Sequence, residues 1–91
     1  MNVPIKLGQT IVSFPGGKNV YTLSSIVISM SKFQLIIPDH HSPNGLGCIE
    51  ITPGGDCYLY HPVYKEHNRI RELIIDGQGF TEFKGLNFVQ G

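Results

Sequence analysis

Two thiols and one imidazole offer the most obvious chemistry in this chain. Cys48, Cys57 and His61 fall within Cys48-Ile-Glu-Ile-Thr-Pro-Gly-Gly-Asp-Cys57-Tyr-Leu-Tyr-His61, a stretch that reads as two short strands about Gly54-Gly55. If a hairpin turns there, position 52 faces 57 and Cys48 faces His61. Cys48, Glu50, Thr52, Cys57, Leu59 and His61 then share one side, and Ile49, Ile51, Tyr58 and Tyr60 the other. A thiol beside an imidazole is the minimal nucleophile and base, and His61 with both thiols could bind zinc. The spacing fixes neither a third orienting group nor a fourth ligand. The preferred reading is therefore plain: Cys48 is a small buried hydrophobe and His61 a surface residue.

Asp39, His40 and His41 form a second candidate group. Consecutive residues in extended chain point to opposite sides, so at most two of the three converge without a special turn. The surrounding segment, Asp39 to Gly47, is polar and rich in turn residues, with Pro43-Asn44-Gly45 favouring a tight turn. A solvated loop is preferred to a metal site, and no metal or cofactor is assigned.

The elements that must position these residues are strands. Short runs rich in Val, Ile, Leu, Tyr, Phe or Thr span 10–14, 20–23, 26–30, 33–37, 48–52, 57–61, 71–75 and 86–89, most of them bounded by Gly, Pro, Asn, Asp or Ser. Residues 62–73 read as a loop leading into a strand, with a helix as the alternative, in which Val63, Glu66, Ile70 and Leu73 share a face and only three of the four are apolar. Asp76-Gly-Gln-Gly79 is another tight corner, followed by Phe80, Phe83, Leu86 and Phe88 as apolar anchors.

Ninety-one residues accommodate one all-β domain, 1–91, either complete or a segment of a longer chain. A domain of this size buries only about 60 to 65% of its unfolded surface, so the core is thin. Seven basic residues balance seven acidic ones and none gather into a patch, which argues against nucleic-acid binding. No run approaches the roughly 20 apolar residues of a membrane span, and the first residues lack the pattern of a signal peptide. The chain reads as soluble, and its two cysteines are too few for a disulfide framework.

The corner Phe14-Pro-Gly-Gly17 has an echo in Thr52-Pro-Gly-Gly55, 38 residues later. The same offset carries Leu35-Ile36-Ile37 onto Leu73-Ile74-Ile75, Ile11 onto Ile49 and Gly47 onto Gly85. Repeated corners and strands at one period suggest a solenoid, here a short right-handed parallel β-helix segment. The alternative is a small antiparallel β-barrel or sandwich in which each Pro-Gly-Gly is a hairpin tip, joining 11–14 to 19–23 and 49–52 to 57–60.

The run Phe14-Pro-Gly-Gly-x-x-x-Tyr21-x-Leu23-Ser-Ser-x-Val27-Ile28 resembles the opening coil of right-handed parallel β-helix proteins of the pectate-lyase-like group, including bacteriophage tailspikes. Phe33 to Asp39, Asn68 to Gly79 and Phe83 to Val89 look like later coils. The resemblance implies a tailspike-like segment that binds cell-surface polysaccharide, assembles as a homotrimer and sits in a virion tail. Polysaccharide degradation is implied by the resemblance alone. An uncapped solenoid exposes strand edges, which implies a longer chain or an oligomer.

Glycoside hydrolysis uses two carboxyl groups about 5 to 9.5 Å apart. At the repeat offset Gln34 aligns with Glu72 and Pro38 with Asp76, so acids do not stack on acids. Asp39 and Asp76 remain the nearest acidic candidates for a ligand site, without an assigned catalytic role. Tyr58, Tyr60 and Tyr64 are candidates for a sugar-stacking surface, since each ring has an apolar face and a polar edge, with core packing as the ordinary alternative for Tyr58 and Tyr60. A different class of function, compatible with neutral charge and small size, is a cytoplasmic protein-binding module such as an inhibitor or immunity protein.

Overall fold

The computed structural model describes residues 2–30, 32–38, 45–61 and 66–90, which form strands and turns with no helix among them. In chain order the strands are β1 (Asn2–Ile5), β2 (Ile11–Ser13), β3 (Val20–Thr22), β4 (Ser25–Ile28), β5 (Phe33–Pro38), β6 (Leu46–Ile51), β7 (Cys57–His61), β8 (Glu66–Arg69), β9 (Leu73–Ile75), β10 (Gln78–Phe80) and β11 (Asn87–Gln90). They make three sheets: β4-β5-β6-β7-β8, β10-β9-β2-β3 and the pair β1-β11.

Pairing is antiparallel throughout the two larger sheets, and β1 with β11 is the parallel pair among the described residues. These are not the pairings of a parallel β-helix; they fit the antiparallel sandwich alternative. The physical reason lies in the connections. A tight corner returns the chain beside the strand it has just left, whereas parallel neighbours need a long crossover. Both Pro-Gly-Gly corners are hairpin tips, pairing Ile11–Ser13 with Val20–Thr22 and Cys48–Ile51 with Cys57–Tyr60. The matched Leu-Ile-Ile strands lie in different sheets, one in β5 and one in β9, so they are not hydrogen-bonded neighbours as successive coils of a β-helix would be.

The corners themselves differ. In the first, Gly17 N donates to Phe14 O at 2.9 Å and positive φ falls on Gly16, as a type II turn requires. In the second, Gly55 N donates to Thr52 O at 3.0 Å, and Gly55 carries the positive φ. Identical tripeptides thus close different loops, and the 38-residue echo reflects a shared turn chemistry.

Residues 66–69 form a strand, so the helix alternative does not hold there; positions 62–65 lie outside the described residues. Alternation in β5 and β6 turns Leu35, Ile37, Ile49 and Ile51 inward, where they are almost fully buried. They meet Val12, Leu73, Ile75 and Phe80 of the four-stranded sheet and Val3, Ile5 and Phe88 of the terminal pair in one core cluster. Each fully buried aliphatic side chain contributes about 1.5–3 kcal/mol. Phe33 and Phe88, with ring centroids 5.2 Å apart in an edge arrangement, tie the five-stranded sheet to β11.

Candidate functional site

The outward face of the five-stranded sheet is built by register. Val27, Gln34, Glu50, Tyr58 and Arg69 are successive cross-strand neighbours, forming one row across β4 to β8. Ser25, Ile36, Cys48, Tyr60 and His67 form the adjacent row. Directly opposed side chains on one sheet face are close enough to interact, so the rows define a continuous surface.

Glu50 lies at the centre, on the middle strand, and is only 6% exposed although it points away from the core. Its Oε1 accepts hydrogen bonds from Lys32 Nζ at 3.0 Å and Gln34 Nε2 at 2.9 Å. His67 Nε2 stands 3.8 Å from Oε2. Burial alone would raise the Glu50 pKa, but the bonds from Gln34 and Lys32, with the charges of Lys32 and His67, outweigh it and hold the carboxyl below its ordinary value. Glu50 is thereby kept ionised and largely satisfied by its neighbours.

The aromatic part of the face surrounds His67. Its ring stacks on Tyr60, with centroids 4.4 Å apart and planes 25° apart, and meets Tyr58 edge-on at 5.9 Å. At the end of the first row Arg69 Nη2 donates to Asp56 Oδ1 at 3.2 Å. Arg69 also lines an open cleft of about 340 Å³ with Gly55, Asp56, Arg71, Thr81 and Phe83.

The expected placement of Cys48 opposite His61 is corrected. Cys48 pairs with Tyr60, and His61 pairs with Glu66. The loop is centred on Gly54, so Thr52 and Asp56 face each other, with Thr52 N donating to Asp56 O at 2.9 Å. A shift of one residue exchanges the two faces of a strand. Tyr58 and Tyr60 consequently join Cys48 and Glu50 outside, while Cys57 joins Ile49 and Ile51 in the core.

The thiols lie on opposite faces of the sheet, which separates their chemistry. Burial, reinforced by the negative charge of Glu50 and opposed by Lys32, raises the Cys48 pKa to about 11. Burial raises that of Cys57 to about 12. Both remain protonated near neutral pH and are poor nucleophiles. We predict that a disulfide reagent such as DTNB labels neither thiol in the native protein at pH 8, and both after urea is added. Rapid native labelling would refute this burial.

Asp76, a candidate ligand residue, is engaged by the chain's own backbone. It adopts φ 50° beside Gly77 at φ 82° in the link between β9 and β10. Its Oδ1 accepts Ile11 N at 2.8 Å, while its own N–H donates to Ile11 O at 2.8 Å. Asp-Gly is the favoured sequence for such a two-residue hairpin, which accounts for the acid at this place. Asp39, His40, His41 and Tyr64 lie outside the described residues. Among the described residues no group of three or more His, Cys, Asp or Glu comes together to hold a metal ion, and no helix is long and apolar enough to cross a membrane.

Lys32, Gln34, Glu50 and His67 are site residues that sequence reasoning did not single out as a cluster. Gln34 and Glu50 each interrupt an apolar run, and that is the signal that could have found them. His67 and Lys32 join only through cross-strand register and the hairpin between β4 and β5.

The class these observations define is an all-β domain of two antiparallel sheets and a parallel terminal pair, with one organised polar and aromatic face. Comparison with protein-family models, with curated proteins and with solved structures gives no match.

Proposed function

We propose that the chain is a binding domain that holds a polysaccharide on the outward face of its five-stranded sheet. The observation that carries this reading is the register that aligns Tyr58 and Tyr60 with Gln34, Glu50, His67 and Arg69 on one surface. Tyrosine rings offer an apolar plane for a sugar's C–H surface and a hydroxyl at the edge; His67 takes one plane of Tyr60, which leaves its other plane and its edge. Glu50 is turned to its neighbours, while the Gln34 amide and the Arg69 guanidinium carry further N–H groups, beyond those bonded to Glu50 and Asp56, that can meet sugar hydroxyls. The two rows contain a single carboxylate, Glu50, whereas glycoside hydrolysis commonly employs two, so binding without cleavage is the simpler use of this face.

The bacteriophage tailspike setting remains part of the proposal only through the sequence resemblance. The antiparallel pairing gives it no support, so the sugar reading rests on the sheet face itself.

Titration calorimetry against a panel of bacterial surface polysaccharides tests the reading. Tyr58→Ala and Tyr60→Ala are each expected to weaken binding about tenfold, the loss of roughly 1.4 kcal/mol of ring contact. Tyr60→Phe should retain most of the affinity. A polysaccharide bound equally well by both alanine variants would overturn the assignment of this face. A folded protein that binds no polysaccharide on the panel but captures a protein through the same residues would overturn the ligand class.

A further inference from the structure

The two edges of the five-stranded sheet are unlike. Edge strand β8 carries Glu66, His67 and Arg69, and charged edges discourage pairing with another chain. Edge strand β4, Ser25-Ile-Val-Ile28, has no charge and no proline. Val27 is 46% exposed, Ile28 57%, and Met30 beyond the strand is fully exposed. Such a strand is a ready template for further pairing unless something covers it.

Its hydrogen-bonding phase is set by the hairpin to β5. Ser29 N donates to Lys32 O at 3.1 Å, and the register continues as Val27 with Gln34 and Ser25 with Ile36. Bonded and non-bonded pairs alternate in an antiparallel ladder. The peptide groups of Val27 and Ser25 therefore turn to β5, and those of Ile26 and Ile28 turn outward. β4 pairs with β5 alone among the described strands.

We propose that β4 is a homodimerisation edge, pairing antiparallel with β4 of a second copy about a twofold axis through Val27. The identity of the occupant follows from self-complementarity. With Val27 opposite Val27 of the partner copy, Ile26 falls opposite Ile28 and Ser25 opposite Ser29, so the outward peptide groups of Ile26 and Ile28 meet as reciprocal hydrogen-bonded pairs. No like charges face each other across the axis, and the β-branched side chains Ile26, Val27 and Ile28 form cross-strand pairs of favourable type. A twofold contact of this kind closes on itself. Two five-stranded sheets become one continuous sheet, with each polar and aromatic face left outside the junction. The charged edge β8 has no comparable self-match.

Light scattering coupled to size-exclusion chromatography, run over a concentration series, tests the pairing. The native chain is expected to be a dimer at high concentration. Val27→Lys and Val27→Glu, at an exposed position, should each give a monomer with an unchanged circular dichroism spectrum, because like charges then meet at the axis. Mixing the two variants should restore the dimer, an outcome that a folding defect would not produce. A monomeric native chain at its highest soluble concentration would overturn the proposal. So would a trimer, or a dimer that persists in either charged variant.

Discussion

Gly55→Ala is expected to lower stability by about 2–4 kcal/mol, while Gly54→Ala one residue earlier should change it by no more than about 0.5 kcal/mol. Gly55 has φ 92°, in the region that disfavours side chains, and an added Cβ would lie 2.8 Å from Lys84 Cβ and 3.0 Å from Lys84 N. A Cβ on Gly54 would meet only Thr52 Oγ1, at 3.9 Å. The corner has little freedom to relax, since Thr52 Oγ1 also accepts Asp56 N at 3.1 Å and Gly55 N is bonded to Thr52 O. Urea unfolding monitored by circular dichroism measures both variants. Equal costs at the two positions would mean that the loop is not centred on Gly54, and the register that places Tyr58 and Tyr60 outside would fall with it.

Glu50 should make stability depend on pH in the acid range. Its folded-state pKa is lowered from an ordinary value of 4.5. The folded protein therefore binds this proton less readily than the unfolded chain. The stabilisation from the ionised carboxylate is fully present above 4.5 and is lost as pH falls below that value through the folded pKa. Glu50→Ala is expected to cost about 1.5–3 kcal/mol at neutral pH, the range for hydrogen bonds to a charged group. Glu50→Gln should remove this residue's share of the acid-induced loss. Urea midpoints from pH 7 to pH 3 provide the measurement. Parallel profiles for the native chain and Glu50→Gln would show that Lys32 and Gln34 do not hold the carboxylate as described.

The contrast between legible and illegible strands has a physical cause. Each of the eight apolar runs anticipated from the sequence overlaps a strand, with ends that differ by no more than two residues, because alternation and punctuation by Gly, Pro and Ser reflect local backbone preference. Three strands escaped that reading. β8 is Glu66-His-Asn-Arg69, a polar edge with no apolar period to detect. β10 is Gln78-Gly-Phe80, too short and too glycine-rich to stand out. β1 has its signal in Val3 and Ile5, both buried, but Pro4 between them weakens the pattern; Pro4 is tolerated in a strand whose described partner is β11 alone.

The candidate site was legible only in fragments. Tyr58 and Tyr60 were recognisable as an aromatic pair two residues apart, yet the hairpin centre assumed for them put both with Ile49 and Ile51. Lys32 and His67 lie far from Glu50 in sequence, and no period links the three. Asp76 stood out as an acid at a corner, and only the bond to Ile11 N reveals what its carboxylate does.

By itself the sequence determined an all-β chain, the places of its main strands and corners, and the residues able to fill a thin core. Those properties follow from local φ/ψ preferences and from a side-chain period of two. The tertiary structure alone decided the direction of pairing, the register and the outward face. Each is a nonlocal choice: the same Pro-Gly-Gly can turn about either glycine, and a shift of one residue moves every side chain of a strand between core and surface.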